Sequence, residues 1–326
     1  MTTGETMEPI RLVDLEPDLG DFRADVIAGL SKERKTLPCK YLYDELGSKI
    51  FDAICEAPDY YPTRTELRIM RDNMREIAEL VGPQAVIIEP GSGSGLKTQV
   101  LLEGLEEPAA YVPVEISREH LINSANQIAA EHPELEVLPV CADFTQPYDA
   151  PEPTREWRRR LVYFPGSTIG NFFRSGAADF LGKARKLMGE NGAILIGVDL
   201  KKDPKLLKAA YNDSGGVTAD FNLNYLRRIN NELDADFDLD AFHHEGRHNE
   251  EEGRIEMHLV SDRDQSVTIG GERFEFRKGE SIWTESSHKY TLEGFAELAS
   301  GVGLEVELVW TDERRMFSLQ YLVAKA

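Results

Sequence analysis

The chain has 326 residues, 41% of them hydrophobic, which is enough to bury one large core or two smaller ones. Its 58 acidic residues outnumber the 37 lysines and arginines, and the net charge of -21 would repel a phosphate backbone. No apolar stretch approaches the length of a membrane span, and the start MTTGETMEPI lacks the pattern of a secretory leader. The composition predicts a soluble, cytoplasmic protein of enzyme size, with no nucleic-acid or membrane partner.

From residue 85 onward, short apolar runs alternate with amphipathic segments. The apolar runs predict five strands, at 85–89, 110–115, 135–144, 160–166 and 193–200. Between them, SREHLINSANQIAAEHP and ADFLGKARKLM each place their apolar residues on one helical face. Strand followed by helix, repeated, predicts an α/β fold with a parallel sheet covered on both faces.

The alternation stops after Leu200 and resumes only near the C-terminus. Residues 201–290 begin with helical sequence rich in Asn and Asp and end in alternating runs such as RIEMHLVS and ERFEFRKG. We interpret this segment as an insertion that forms, with the N-terminal segment, a second α+β domain over the carboxyl edge of the sheet, where open α/β sheets bind ligands. The predicted boundaries are 66–200 with 291–326 for the first domain, and 10–65 with 201–290 for the second.

One part of this insertion, FHHEGRHNEEEG, carries His243, His244 and His248. It lacks the regular spacing and apolar frame that would fix metal ligands, so we interpret it as a solvated polar loop. The three cysteines of the chain form no CxxC pair, which suits a reducing compartment and offers no zinc site. The sequence predicts no metal site.

The C-terminal segment predicts a helix, TLEGFAELASGVG, and then the strands LEVELVWTD and FSLQYLVAKA, joined by ERRM. A helix followed by a terminal antiparallel hairpin closes the sheet in a way that dehydrogenases generally do not. This ending argues against a dehydrogenase.

The stretch EPGSGSGLKT follows the first predicted strand and precedes a helix, as a nucleotide-binding turn would. Its glycines, at 91, 93 and 95, have the spacing GxGxG, whereas a dinucleotide site requires GxGxxG and here has Leu96 at its third glycine position. Glu89 would repel a pyrophosphate but suits a ligand with its own positive charge, such as S-adenosylmethionine. A turn of this kind also occurs without any ligand.

Acidic and aromatic residues follow the next two predicted strands. Glu115 ends the second strand, 24 residues after Gly91, where a carboxylate accepts hydrogen bonds from ribose hydroxyls. Asp143 and Phe144 end the third, suitably placed for an adenine amino group and for stacking on its ring. Each residue alone also suits a polar strand end or a core aromatic, but the ordered set favours a nucleoside site.

The sequence resembles the class I S-adenosylmethionine-dependent methyltransferases, and in particular the histidine-specific Nα-methyltransferase family of ergothioneine biosynthesis. The resemblance runs from about residue 35 to the end. Its markers are LPCKYLYDELGSKIFDAICEAPDYYPTRTE, EPGSGSGLKT, FPGSTIGNF, GVTADFN, DADFDLDAF, RIEMHL and TESSHKY. It implies a Rossmann-like sheet with an antiparallel terminal strand, S-adenosylmethionine as cofactor, L-histidine as substrate and trimethylation to hercynine.

The resemblance also implies cofactor contacts at residues 66–200 and at one N-terminal tyrosine. These contacts fall on Tyr43, Gly91, Lys97, Glu115, Asp143 and Phe144. The family often has Asp where this chain has Glu115, and the residues SGL before Lys97 differ from those of relatives. The acid at 115 keeps its predicted role, while the details of the Lys97 contact stay open.

The resemblance implies contacts to the amino acid as well. Those to the backbone end fall on Tyr60, Asn171 and Tyr211, and those around the imidazole fall on Met257, Glu285 and Ser287. A buried Glu accepts an imidazole N–H and a hydroxyl serves the second ring nitrogen, so Glu285 and Ser287 match a ring with two polar edges. Tryptophan or phenylalanine would leave that carboxylate unpaired. By itself, Met257 in its alternating run also suits plain core.

Several alternatives remain at the level of sequence. One is a methyltransferase of the same fold acting on another small amino acid or a modified histidine; another is a non-catalytic module that only binds S-adenosylmethionine. No catalytic residue is assigned beyond substrate positioning by Tyr60 and Asn171, since transfer of an activated methyl group depends mainly on positioning. The oligomeric state is not readable from the sequence, and a monomer is the working expectation.

Overall fold

The computed structural model describes residues 10–17, 20–93 and 95–325. Its strands are, in chain order, β1 (Val13–Asp14), β2 (Ala85–Pro90), β3 (Ala110–Glu115), β4 (Glu136–Val137), β5 (Val140–Cys141), β6 (Arg159–Phe164), β7 (Ala193–Asp199), β8 (Phe242–Asn249), β9 (Arg254–Ser261), β10 (Gln265–Ile269), β11 (Glu272–Phe276), β12 (Ser281–His288), β13 (Leu304–Thr311) and β14 (Phe317–Ala324).

The helices cover both faces of the main sheet and part of the inserted segment. They are α1 (Phe22–Leu30), α2 (Glu45–Glu56), α3 (Tyr61–Val81), α4 (Leu96–Gly104), α5 (Arg118–Glu131), α6 (Arg174–Met188), α7 (Pro204–Tyr211), α8 (Val217–Leu233) and α9 (Leu292–Ser300). Short 3₁₀ helices span Cys39–Leu42, Thr168–Asn171 and Leu239–Ala241. Within the described residues, no helix is both long and apolar enough to cross a membrane.

The main sheet has the strand order β1-β5-β3-β2-β6-β7-β14-β13, with β4 also pairing with β3. Strands β2 and β7 are buried along their whole length, as expected for central parallel strands with helices on both faces. Strand β14 runs antiparallel to both β7 and β13. The predicted α/β class, with its parallel sheet and antiparallel terminal hairpin, is confirmed.

The strand predicted over 135–144 is wrong in extent. Only two residue pairs form strands there, β4 and β5, and Leu138 and Pro139 separate them. Pro139 has no N–H to donate to a neighbouring strand, which interrupts the ladder. Asp143 and Phe144 therefore lie in the loop that follows the strand, not at its end.

The inserted segment builds a second sheet of its own. Strands β12, β9 and β8 pair antiparallel in that order, and β10 and β11 form a separate hairpin. The histidine-rich stretch, predicted as a solvated loop, is instead strand β8, and that prediction is wrong. The half-buried His244 shows the reason. Its Nδ1 lies 2.9 Å from Asn222 Nδ2, and its Nε2 lies 2.7 Å from the Tyr211 carbonyl oxygen. A polar residue of this stretch thus makes its contacts inside the fold, which the polar sequence pattern does not indicate.

A hydrophobic core lies under this second sheet. Its buried members come from residues 26–61 and 207–282, that is, from the N-terminal segment and the insertion. Helix α8 lies in it, with Phe221, Tyr225 and Ile229 buried one turn apart along its length. The N-terminal segment and the insertion thus share one core, beside the main sheet.

Candidate active site

The turn between β2 and α4 is shaped by its glycines. Gly91, Gly93 and Gly95 have φ of 68°, 48° and 75°, a region that side chains disfavour. The Gly91 N–H donates to the Val114 carbonyl oxygen at 2.7 Å, which ties the turn to β3. A Cβ at Gly91 would lie 3.2 Å from the Phe144 ring. The turn is thus an open backbone surface with an aromatic ring beside it.

Glu89, at the end of β2, is buried under this turn. Its Oε2 accepts hydrogen bonds from Thr98 Oγ1 at 2.7 Å and from Tyr111 Oη at 2.6 Å. Burial raises the pKa of the Glu89 carboxyl to about 7, against the opposing effect of these hydrogen bonds and of Lys97. Glu89 therefore anchors the first turn of α4 to the sheet.

Two predicted cofactor residues lie where β3 and β5 lead into their loops. Glu115 closes β3, pairs in register with Cys141 of β5, and accepts the Ile116 N–H at 2.8 Å. Asp143 holds the following loop by accepting from the Thr145 N–H at 2.9 Å. Together with Gly91 and Phe144, these carboxylates lie at one edge of the sheet.

Lys97, another predicted cofactor residue, is paired with a protein carboxylate. Its Nζ lies 2.7 Å from Glu66 Oε2, and the Glu66 side chain is fully buried. Glu66 also accepts the Gly166 N–H at 2.9 Å and lies over Gly197 of β7, where a Cβ would come within 2.0 Å of its Oε1. Glu66 therefore joins the glycine turn to the loop after β6.

Glu285 of β12 lies beside three other predicted site residues. Its Oε1 accepts from Tyr43 Oη at 3.2 Å and from Asn171 Nδ2 at 3.3 Å, and Met257 lies directly across from it on β9. Burial raises the pKa of Glu285 to about 7, and the Tyr43 hydrogen bond and the charge of Lys289 oppose that rise. Tyr43, predicted to contact the cofactor, thus contacts a residue predicted to contact the imidazole.

Ser287 lies two residues further along the same face of β12. Its Oγ accepts from Tyr211 Oη at 2.7 Å and from Lys289 Nζ at 2.8 Å. The Tyr60 ring lies 6.3 Å from that of Tyr211, centre to centre. Of the four other predicted amino-acid contacts, three thus connect to Glu285 or Ser287 directly, and Tyr60 connects through Tyr211.

The sequence analysis missed the charged residues that connect these groups. Asp199 ends β7 fully buried and forms an ion pair with Lys289 at 2.7 Å; it also accepts from Tyr61 Oη at 2.7 Å and from Lys202. An acidic residue after the all-apolar run of β7, and a lysine two positions after Ser287, were the available signals. The two lysines hold the pKa of Asp199 below its usual value despite burial.

The arrangement therefore has two parts. The first is a strand-edge surface of glycine backbone, carboxylates and an aromatic ring, which fits the chemistry of an adenosyl cofactor with a charged end. The second is a buried set of one carboxylate, one amide and several hydroxyls, which fits a small polar molecule. Residues 166–171, together with Glu66 and Asp199, connect the two.

Comparison with known proteins agrees with this geometry. Residues 22–324 match the family described as "Histidine-specific methyltransferase, SAM-dependent". The histidine N-alpha-methyltransferase of Mycobacterium tuberculosis (strain CDC 1551 / Oshkosh) is 40% identical over 309 residues, covering 93% of this chain and 95% of that one.

The chain is also similar to two fungal proteins. Ergothioneine biosynthesis protein 1 of Neurospora crassa is 34% identical over 85% of this chain, which spans 32% of that protein. The 4-dimethylallyltryptophan N-methyltransferase easF of Aspergillus fumigatus is 29% identical over 93% of this chain and 92% of its own. The match over almost the whole length shows that this chain belongs to the family of S-adenosylmethionine-dependent, histidine-specific methyltransferases.

Proposed function

We propose that this protein transfers methyl groups from S-adenosylmethionine to the α-amino nitrogen of L-histidine. Three successive transfers give the trimethylated betaine hercynine, in the pathway of ergothioneine. The observation that carries the proposal is Glu285, a buried carboxylate within hydrogen-bond reach of Tyr43 and Asn171; Ser287 lies two residues further along β12, and Met257 lies opposite Glu285 on β9. The 40% identity to a histidine N-alpha-methyltransferase supports it.

The residues at the strand edge fit the cofactor. Gly91 offers backbone without a side chain, and we assign Glu115 to the ribose hydroxyls and Asp143 and Phe144 to the adenine. Lys97 and Tyr43 complete the proposed contacts. When bound, the cofactor supplies a methyl group activated by the sulfonium charge, so that positioning is the main demand on the protein.

In the proposed complex the imidazole ring lies between Glu285 and Ser287. A carboxylate accepts the ring N–H, and the hydroxyl serves the other ring nitrogen. Met257, across from Glu285, packs against the ring. Because Glu285 is buried, a side chain without an N–H at this position leaves a charge unpaired, which costs several kcal/mol and disfavours purely apolar side chains.

At the backbone end, Tyr60, Asn171 and Tyr211 hold the α-amino and carboxylate groups. The attacking amine must lose a proton in each round, and we assign no dedicated base to this step. Each transfer removes one N–H donor, so hydrogen bonds at the amine weaken from round to round. The buried faces of tyrosine rings favour the growing cation instead.

We further propose that two domains of the chain bind the cofactor and the amino acid separately. Residues 66–200 and 291–326 hold the cofactor, and residues 10–65 and 201–290 hold the amino acid. The core shared by residues 26–61 and 207–282 supports this division, although β1 pairs with β5 of the main sheet. We place the enzyme in the cytoplasm, because its three free cysteines suit a reducing compartment.

A second candidate is N-methylation of another amino acid. The relative named for 4-dimethylallyltryptophan supports it, since it is 29% identical over 93% of this chain. The buried carboxylate of Glu285 favours a smaller ring with two polar edges.

Mass spectrometry of products distinguishes these candidates. The purified protein is incubated with S-adenosylmethionine and an equimolar mixture of the free amino acids. We expect histidine alone to gain methyl groups, ending with three. Methylation of another amino acid would overturn the substrate but leave the cofactor and fold intact, and no methylation at all would favour a modified histidine or a module that only binds the cofactor.

A further inference from the structure

Lys289, Tyr211 and Ser287 form a closed triangle of hydrogen bonds. Lys289 Nζ lies 2.9 Å from Tyr211 Oη and 2.8 Å from Ser287 Oγ, and the two oxygens lie 2.7 Å apart. The third partner of Nζ is Asp199 Oδ2 at 2.7 Å. All four side chains are buried, with Lys289 4% and Asp199 0% exposed.

An ammonium group has three N–H donors and no acceptor. At Lys289 the three donors match Asp199, Tyr211 and Ser287, so the lysine has none left for a ligand. The adjacent Asp199 carboxylate keeps this lysine charged, and its pKa lies above the usual lysine value despite burial. Lys289 is therefore a permanent donor to both hydroxyl oxygens.

The number of hydroxyl hydrogens in the triangle determines which hydrogen is available to a ligand. The two hydroxyls carry two hydrogens, of which one lies in the bond between Tyr211 and Ser287 and cannot go to Lys289. The phenol is the stronger acid, so it donates to the serine oxygen. Ser287 Oγ then accepts from both neighbours, and its own hydrogen must point away from them.

We propose that Lys289 is a positioning residue that makes Ser287 an obligate hydrogen-bond donor and so selects a neutral imidazole ring with one bare nitrogen. The inference rests on the proposed function. Glu285 accepts the N–H of that ring, and Ser287 donates to the bare nitrogen. A ring that presents a C–H to Ser287 leaves a buried donor without a partner.

Pyrrole isosteres of histidine test this directly. The two isomers of pyrrolylalanine each replace one ring nitrogen by C–H, and one of them keeps the N–H that faces Glu285. We expect the wild type to prefer histidine over that isomer by about tenfold or more in kcat/KM. In Lys289→Met the Tyr211 oxygen is free to accept a hydrogen bond from Ser287. The Ser287 hydroxyl then has a partner even when the bound ring presents a C–H, so we expect the preference for histidine to fall at least about fivefold.

Two variants serve as controls. Lys202→Met removes the other lysine of Asp199 without touching the triangle, because Lys202 donates to Tyr61, Asp199 and the Leu200 carbonyl; its preference should match the wild type. Tyr211→Phe removes the phenol but leaves Lys289 on Ser287, so the preference should persist even where turnover falls. This variant also tests the proposal if Lys289→Met does not fold.

An unchanged preference in folded Lys289→Met, or its loss in Tyr211→Phe, would overturn the role of Lys289. Failure of the proposed function shows separately, because the wild type would then not methylate histidine and no preference would be measured. The ratio of the two substrates also separates positioning from a general loss of stability, which lowers both rates alike.

Discussion

At the scale of single residues, Glu285 is the residue that we propose recognises the imidazole ring of the substrate. Its carboxylate is 8% exposed and is contacted by Tyr43 and Asn171, both of which donate to it. We expect Glu285→Ala to lower kcat/KM for histidine at least about a hundredfold, because the ring N–H loses its charged acceptor. Steady-state kinetics measures this, with Glu275→Ala, an exposed glutamate of β11, as the control. Unchanged kinetics in Glu285→Ala would refute the ring contact.

The same carboxyl predicts a dependence of stability on pH. Burial raises its pKa from 4.5 in the unfolded chain to about 7, so between these values the folded protein binds more protons and the free energy of unfolding falls as pH rises. Glu285→Gln removes the buried charge. We expect it to raise the free energy of unfolding at pH 8 by up to about 3 kcal/mol and to change it little near pH 4.

Denaturant titrations at the two pH values check this difference. Glu89 titrates in the same direction, with its pKa also raised to about 7, but it is common to both proteins and cancels in the comparison. Glu275→Gln, at an exposed site, provides the control. An effect of Glu285→Gln that is equal at both pH values would contradict the assignment.

The sequence analysis named residues that the structure brings together, but not how they are connected. Tyr211, Glu285 and Ser287 were named from the resemblance, and as substrate contacts they stay predictions. The ion pair between Asp199 and Lys289 was not found, because its two residues lie 90 positions apart and neither belongs to a local pattern. Long-range pairing of this kind depends on the tertiary fold.

At the scale of elements, strand β7 helps to position Glu66, a residue of another element. Its Gly197 leaves room for the buried Glu66 carboxylate, which binds Lys97 and the Gly166 N–H. We expect Gly197→Ala to destabilise the protein by about 2–4 kcal/mol, since the added Cβ lies 2.0 Å from Glu66 Oε1 and displaces a buried, paired charge.

Thermal or urea unfolding measures this loss. The matched control is Gly182→Ala on α6, where a Cβ would meet nothing within 4 Å; there the change should be neutral or stabilising by about 0.5–1 kcal/mol. Equal effects of the two substitutions would show that Glu66 does not depend on Gly197.

Elements with uniform apolar runs were predicted well, and mixed ones poorly. The strand 110–115 was predicted with its observed ends. In contrast, Pro139 broke the strand predicted over 135–144, and the polar side chains of β8 hid a strand because His244 makes its contacts inside the fold. Periodicity reports burial of apolar faces and does not report hydrogen bonds between buried polar groups.

At the scale of the whole molecule, two structural parts meet at a few buried charges. Asp199 ends a strand of the main sheet, while Lys289 follows β12 of the inserted sheet and Tyr61 begins α3. The prediction of an insertion between residues 201 and 290 came from the interrupted alternation of strands and helices. What the sequence could not give is the docking of the two parts, because it rests on contacts between segments far apart in the chain.

The position of the methyl groups in the product tests the proposed function most directly. The wild type is incubated with L-histidine and S-adenosylmethionine carrying a ¹³C-labelled methyl group, and the product is analysed by NMR. We expect three equivalent labelled methyl groups on the α-nitrogen and an unmodified imidazole ring. Labelled methyl groups on a ring nitrogen would contradict it, because the ring would then face the cofactor and could not lie between Glu285 and Ser287.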